Sequence, residues 1–147
     1  MKNTNEIIST IGHIHNSTNK LIMDELKKHD LIGLAPSHGN ILNLLYKNKD
    51  GVPMSQITQS INKDKSTVTA LVNKLEKMEL LIKFKNEKDS RSTMVKLTQK
   101  GLGTKPIVMD IISPKLLDIT YKNFTQEEKE LLCKLLERVK ENFLEID

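Results

Sequence analysis

Apolar residues near the N-terminus recur at helical spacing. Ile7, Ile8, Ile11, Ile14, Leu21, Ile22 and Leu26 fall on one stripe, with Thr18 inside it, which predicts a helix over about residues 4–29. Leu31 to Pro36 reads as a connector, and Pro36 suits the first turn of a second helix reaching about Lys47. That helix would bury Ile41, Leu42, Leu44 and Leu45. Asn48 to Gly51 is turn chemistry. Val52-Pro53 leads into a short helix over 54–61, with Ile57 and Ile61 four apart. Asn62 tolerates the left-handed backbone that a tight helix–helix turn requires. Asp64 is a good N-cap for the next helix, over about 65–79, which would bury Val68, Leu71, Val72, Leu75 and Met78.

After Leu80 the period changes to two. Ile82-Lys-Phe84-Lys85 alternates apolar and basic residues, and Thr93-Met-Val95-Lys-Leu97 alternates again. The polar stretch from Asn86 to Arg91 between them makes a hairpin whose tip projects into solvent. Thr98 caps a following helix, but Gly101, Gly103 and Pro106 weaken its start. The expectation is a ragged first turn, or a restart at Thr104 with Pro106 in its first turn. Pro114 should kink the pattern. Thr125-Gln-Glu-Glu128 is a capping box for a last helix. Leu131, Leu132, Leu135, Leu136, Val139, Phe143 and Ile146 line one broad face of that helix.

The fold class is therefore mainly α with a small β-hairpin. A compact head over 34–101 lies between helical segments at 1–33 and 102–147, and the three form one integrated domain. The terminal helices carry wide apolar faces that so small a head cannot cover, which favours burial against a second copy.

Charge changes the picture. The net charge is only +4. Residues 63–105, however, hold eleven Lys/Arg against five Asp/Glu, while residues 106–147 hold six against nine. A positive field concentrated on the middle third attracts polyanions. Aromatics make up 3% of the chain and Trp is absent, so the core must be aliphatic. The single cysteine, Cys133, allows no internal disulfide. The N-terminus has no signal-peptide pattern, and no stretch approaches the ~18 apolar residues of a membrane span. A cytoplasmic protein is expected.

A short helix, a tight turn and a second helix make a DNA-reading motif, whose second helix enters the major groove. On the 65–79 helix the face opposite the core holds Lys65, Ser66, Thr69, Ala70, Asn73 and Lys77. Small hydroxyls and an amide reach base edges, Ala70 suits a thymine methyl, and the lysines suit phosphates. The hairpin tip holds Lys88, Asp89 and Arg91. An arginine on a projecting loop fits a narrow minor groove. Asp89 would repel phosphate, so its role is to hold Arg91 or a lysine of the reading helix.

Residues 34–101 resemble the MarR family of winged helix-turn-helix regulators. Ser55–Ile61 is similar to its first motif helix, and Lys65–Lys77 to its recognition helix. The run Asp89-Ser-Arg91, Val95-Lys-Leu97-Thr98 and Gly101 is similar to its wing. The helices before and after fit its dimerisation region. The resemblance implies a transcription regulator, usually a repressor. It would act as a homodimer on a palindromic double-stranded operator, often released by a small-molecule effector. It also places Ser66, Thr67, Thr69 and Asn73 in the major groove and Arg91 in the minor groove, with Asp89 as support. Two positions depart from the family pattern. Ala70 stands where the family often has arginine. Glu79 stands where it commonly has glycine, at a cost of up to about 1 kcal/mol if the backbone there is left-handed.

Other chemistry is thin. His13 and His15 are two apart and face different ways on a helix, and His29 and His38 join no ligand cluster. They read as surface histidines, with no metal or cofactor implied. Cys133 sits among Lys129, Glu130, Glu137 and Lys140, the setting of a partly exposed thiol. No nucleophile–base pair or phosphate loop points to an enzyme. The alternative class is a winged-helix adaptor that binds protein rather than DNA. Such a module has little need of the positive charge over 63–105.

Overall fold

The computed structural model describes residues 3–146. The chain forms two compact units, Met1–Ser113 and Pro114–Asp147, and each is described by itself.

In the first unit a single 3-10 turn, Thr4–Glu6, leads into α1 (Ile7–Lys28). The helix stops at Asp30, whose φ of 63° breaks the right-handed path. The Leu31 N–H then closes back on the Leu26 carbonyl at 2.9 Å, and Leu26, Leu31 and Leu34 are buried together with the head. The following helix, α2 (Pro36–Tyr46), starts at Pro36 as its lack of an N–H allows. His38 is not a surface residue. It is 5% exposed, and its Nδ1 accepts the Ala35 N–H at 2.8 Å. The ring curls back because the first turn of a helix leaves backbone donors without partners.

Helix α2 packs against α3 (Met54–Ile61) and α4 (Lys65–Lys77). Ile41, Leu42, Leu45, Ile57, Val68, Val72 and Leu75 bury fully at their meeting. Leu44, Leu71 and Met78 are only half-buried. Asn62 joins α3 to α4 with φ 50° and ψ 48°, in the left-handed region as its side chain permits.

The hairpin has a third strand beside it. β1 (Val52–Pro53), β2 (Leu81–Lys85) and β3 (Thr93–Leu97) form an antiparallel sheet in the order β1-β3-β2. Two residues carry no alternation to read, so β1 is invisible in the sequence pattern. Pro53 is tolerated because β1 is an edge. The alternation of Ile82–Lys85 is real, but its apolar members do not face the core. Ile82 is 42% exposed and Leu81 is fully buried. Leu81 pairs with Leu97, and Lys83 with Val95. Leu81, Lys83, Val95 and Leu97 therefore share the face that packs against α4, since side chains alternate along a strand. Phe84 lies on the other face, half-buried, with the Lys96 ammonium 5.0 Å from its ring centre.

Thr98 caps a single turn, α5 (Gln99–Leu102), by accepting the Gly101 N–H at 3.0 Å. The chain then restarts as a π-helical segment, Pro106–Ile112, with Lys105 rather than Thr104 in the capping position. Thr104 has another task. Its hydroxyl donates to the Gly101 carbonyl at 2.6 Å and receives the buried Tyr46 hydroxyl at 2.6 Å. Burial raises the Tyr46 pKa. At Ser113 the wide π turns give way to α6 (Ser113–Thr120), one residue before Pro114. A proline there removes one donor from the ladder, and a change of helical pitch accommodates it.

The second unit holds the rest of α6 and α7 (Gln126–Leu144). Asn123, with φ 66°, turns the chain between them. The capping box is complete: Thr125 Oγ1 accepts the Glu128 N–H at 3.1 Å, and Glu128 Oε1 accepts the Thr125 N–H at 2.9 Å. Leu117, Ile119, Leu131, Leu135, Leu136 and Phe143 remain exposed in the chain as it stands. In the first unit Ile7, Ile8, Ile14 and Ile111 do the same.

Candidate nucleic-acid interface

Three cations of the basic middle segment, Lys65, Lys83 and Arg91, share one surface. Its foundation is Asp64, the N-cap of α4. One carboxylate oxygen accepts the Thr67 N–H and the Ser66 hydroxyl, each at 2.7 Å. The other accepts the Thr67 hydroxyl at 3.0 Å. The Thr67 backbone bond, then the Ser66 and Thr67 hydroxyls, hold the Asp64 carboxyl at about 2. Thr67 is half-buried and turned into this cap, so of the expected groove residues it is the one drawn off the outer face.

Ser66, Thr69, Ala70 and Asn73 are exposed on α4, spaced so that they share a face. Lys65 and Lys77 stand exposed at its two ends. The Thr69 hydroxyl donates to the Lys65 carbonyl at 2.8 Å. Ser66 and Thr69 thus spend their protons within the helix and present lone pairs outward. Asn73 differs, because its Oδ1 accepts the Lys83 ammonium at 2.6 Å. Lys83 also lies 3.5 Å from Glu76. The sequence reading missed Lys83, because alternation alone does not say which parity of β2 faces the helix.

The wing loop between β2 and β3 is closed by its own polar groups. The Asn86 N–H reaches the Ser92 carbonyl at 3.1 Å, and the Ser92 N–H reaches the Asp89 carbonyl at 3.0 Å. Lys88 is exposed and donates its N–H to Asn86 Oδ1 at 3.0 Å. Asp89 accepts the Arg91 backbone N–H at 3.1 Å, with Arg91 Nε 3.5 Å away. The Arg91 side chain is nevertheless 93% exposed. Asp89 therefore steadies the base of an arginine whose guanidinium stays open to solvent. An open cleft of about 730 Å³ lies between α3, the start of α4 and the wing. It is lined by Ser55, Gln59, Lys65, Thr69, Lys83 and Arg91 among others.

Three carbonyls at the end of α4 tie it to the far side of the wing. Lys100 Nζ donates to Met78 at 3.0 Å, the Thr98 hydroxyl to Glu79 at 2.6 Å, and the Thr98 N–H to Leu80 at 3.1 Å. These three bonds join the end of α4 to the segment that follows β3.

The family model of the transcriptional regulator SarA/Rot matches residues 30–105, which span this whole surface. The chain belongs to that family. The regulator is 30% identical over 136 residues to the HTH-type transcriptional regulator MhqR of Bacillus subtilis, covering 91% of this chain and 89% of the relative. A putative MarR-like transcription regulator from Bacillus cereus superposes with a TM-score of 0.76 at 25% identity, covering 94% of this chain and 96% of that one. The S. aureus MepR–DNA complex shares the fold at 19% identity, with a TM-score of 0.80 over 97% of this chain and 99% of that one. The regulator is thus a MarR/SarA-type DNA-binding transcriptional regulator with a winged helix-turn-helix head.

Cys133 is exposed on α7, its Sγ 3.2 Å from the Tyr121 hydroxyl. That contact comes first among the causes that raise the Tyr121 pKa. Among the described residues, no group of three or more His, Cys, Asp or Glu is placed to hold a metal ion. Among the same residues, no helix is long and apolar enough to cross a membrane.

Proposed function

We propose that the regulator binds a palindromic operator as a homodimer. Each protomer would lay α4 in one major groove and insert Arg91 into the flanking minor groove. The observation that carries this reading is the pairing of two features across one cleft. One is the outward face of Ser66, Thr69, Ala70 and Asn73. The other is an arginine that is 93% exposed yet fixed at its base by Asp89. A groove-reading helix beside a minor-groove arginine is what a winged head requires. Lys65, Lys77 and Lys88 stand at the rim of this surface, where phosphates would lie.

The homodimer is supported by apolar side chains that each unit leaves in water, Ile8 and Ile14 in one and Leu131 and Leu135 in the other. Two-fold symmetry of the protein implies half-sites about one helical turn apart. Repression follows from occupying a promoter. Release by a small-molecule effector follows if the effector prefers one spacing of the two heads. Both belong to the family resemblance.

The test is selection of bound duplexes from random DNA, followed by titration of the selected site against rising salt. An inverted repeat is expected, with affinity that falls steeply with salt as phosphate-bound counterions are released. A flat salt response, or no enriched sequence, overturns the reading.

A further inference from the structure

We propose that Lys83 is a specificity-determining positioning residue, which sets what Asn73 can read. The inference rests on α4 being the reading helix. An ammonium has three donors and no acceptor. Asn73 must therefore turn its oxygen, not its nitrogen, to Lys83, and the 2.6 Å contact holds it there. The lysine is itself held in place. It rises from the face of β2 shared with Leu81 and Val95, which packs against α4, and Glu76 lies 3.5 Å from its nitrogen.

The consequence is chemical. With its oxygen turned to the strand, Asn73 shows the groove its NH2 group. A base amino group approaching that oxygen meets the lysine's positive charge. The paired contact by which an unrestrained asparagine reads adenine, accepting from N6 and donating to N7, is disfavoured. An acceptor edge is favoured instead: O6 and N7 of guanine, or O4 of thymine. The neighbours sharpen this choice. The hydroxyls of Ser66 and Thr69 donate within the protein, and Ala70 has nothing to donate. Asn73 is then the uncharged side-chain donor left to the outer face of α4 among the described residues.

The test compares the wild type with Lys83→Met, Lys83→Arg, Asn73→Ala and the Lys83→Met/Asn73→Ala double variant. Each is measured at one salt concentration on duplexes that vary the base at the position Asn73→Ala desensitises. Wild type is expected to prefer G or T there. Lys83→Met should raise the ratio of affinity for A over G or T by about fivefold or more, the low end of one paired base contact. Lys83→Arg should keep the wild-type ratio. In the Asn73→Ala background, Lys83→Met should leave the ratio unchanged. In the free protein, Lys83→Met should also move the NMR signals of the Asn73 side-chain amide.

A uniform loss across all bases would make Lys83 a phosphate contact and overturn the proposal. The same ratio change without Asn73, or unmoved amide signals, would overturn it too. DNA binding with an unaltered base ratio sinks this inference alone. Failure of the wild type to bind any DNA sinks the interface reading and this inference with it.

Discussion

Gly101 lies so close to Leu80 that a β-carbon at residue 101 would fall inside the contact distance of the Leu80 carbonyl oxygen. That same oxygen accepts the Thr98 N–H. The approach lets the residues after the wing cap the end of α4. No side-chain rearrangement relieves a clash with backbone. Gly101→Ala is expected to cost about 3 kcal/mol, the upper range for overpacking, read from the midpoint of urea unfolding. A change of less than about 0.5 kcal/mol, the scatter of an ordinary surface substitution, would show that the approach is looser than described.

Glu79, one residue before this contact, has φ 63°. A side chain there is strained, and glycine relieves the strain at some cost in unfolded-chain entropy. Glu79→Gly should therefore stabilise the protein, by up to about 1 kcal/mol. The Thr98 bond to the residue 79 carbonyl is a backbone acceptor and survives the change. Unfolding at lower denaturant than wild type would contradict this.

Burial, then the nearby Lys74, lowers the pKa of His38 below its ordinary 6.5. Its Nδ1 already accepts the Ala35 N–H, so a proton there would break a bond. The folded ring takes up protons less readily than the unfolded one. His38 therefore contributes full stability above pH 6.5, and that contribution is lost as pH falls beneath this value. Thermal melts stepped from pH 7.5 down to 5 should show a falling midpoint, with part of the slope absent in His38→Gln. Parallel slopes for the two proteins would rule His38 out as the group responsible.

Arg91 and Asp89 make separable predictions. Arg91→Ala removes the proposed minor-groove contact and should weaken operator binding by about 1–3 kcal/mol. Asp89→Asn keeps an acceptor for the Arg91 N–H but loses the charge beside the guanidinium. It also removes a negative charge from the proposed DNA-facing surface, so it should cost less than Arg91→Ala. Equal affinity of Arg91→Ala and wild type for the selected operator would dismiss the wing's role.

Much of the fold was legible because it is locally encoded. Helix α3, the left-handed Asn62, the Asp64 cap and the Thr125–Glu128 box depend on residues within four positions of one another. The wing's Asp89–Arg91 pair is likewise two residues apart. The family was visible for the same reason, since its wing signature is a short contiguous run. Thr104 was misjudged because its hydroxyl meets Tyr46, far off in the chain on another helix, and His38 because the burial of its ring follows from packing that its near neighbours do not encode.

By itself the sequence determined the order of the main helices and of the two hairpin strands, helix α4 and the charged wing loop, because periodicity, caps and turn residues act over one or two helical turns. Tertiary structure alone decided the parity of β2. A strand alternating Ile, Lys, Phe and Lys fits the sheet either way round, and a shift of one residue exchanges its faces. Burial of Leu81, paired with Leu97 and on the same face as Val95, settles the matter. That choice carries Lys83 to Asn73 and so shapes the surface proposed to meet DNA.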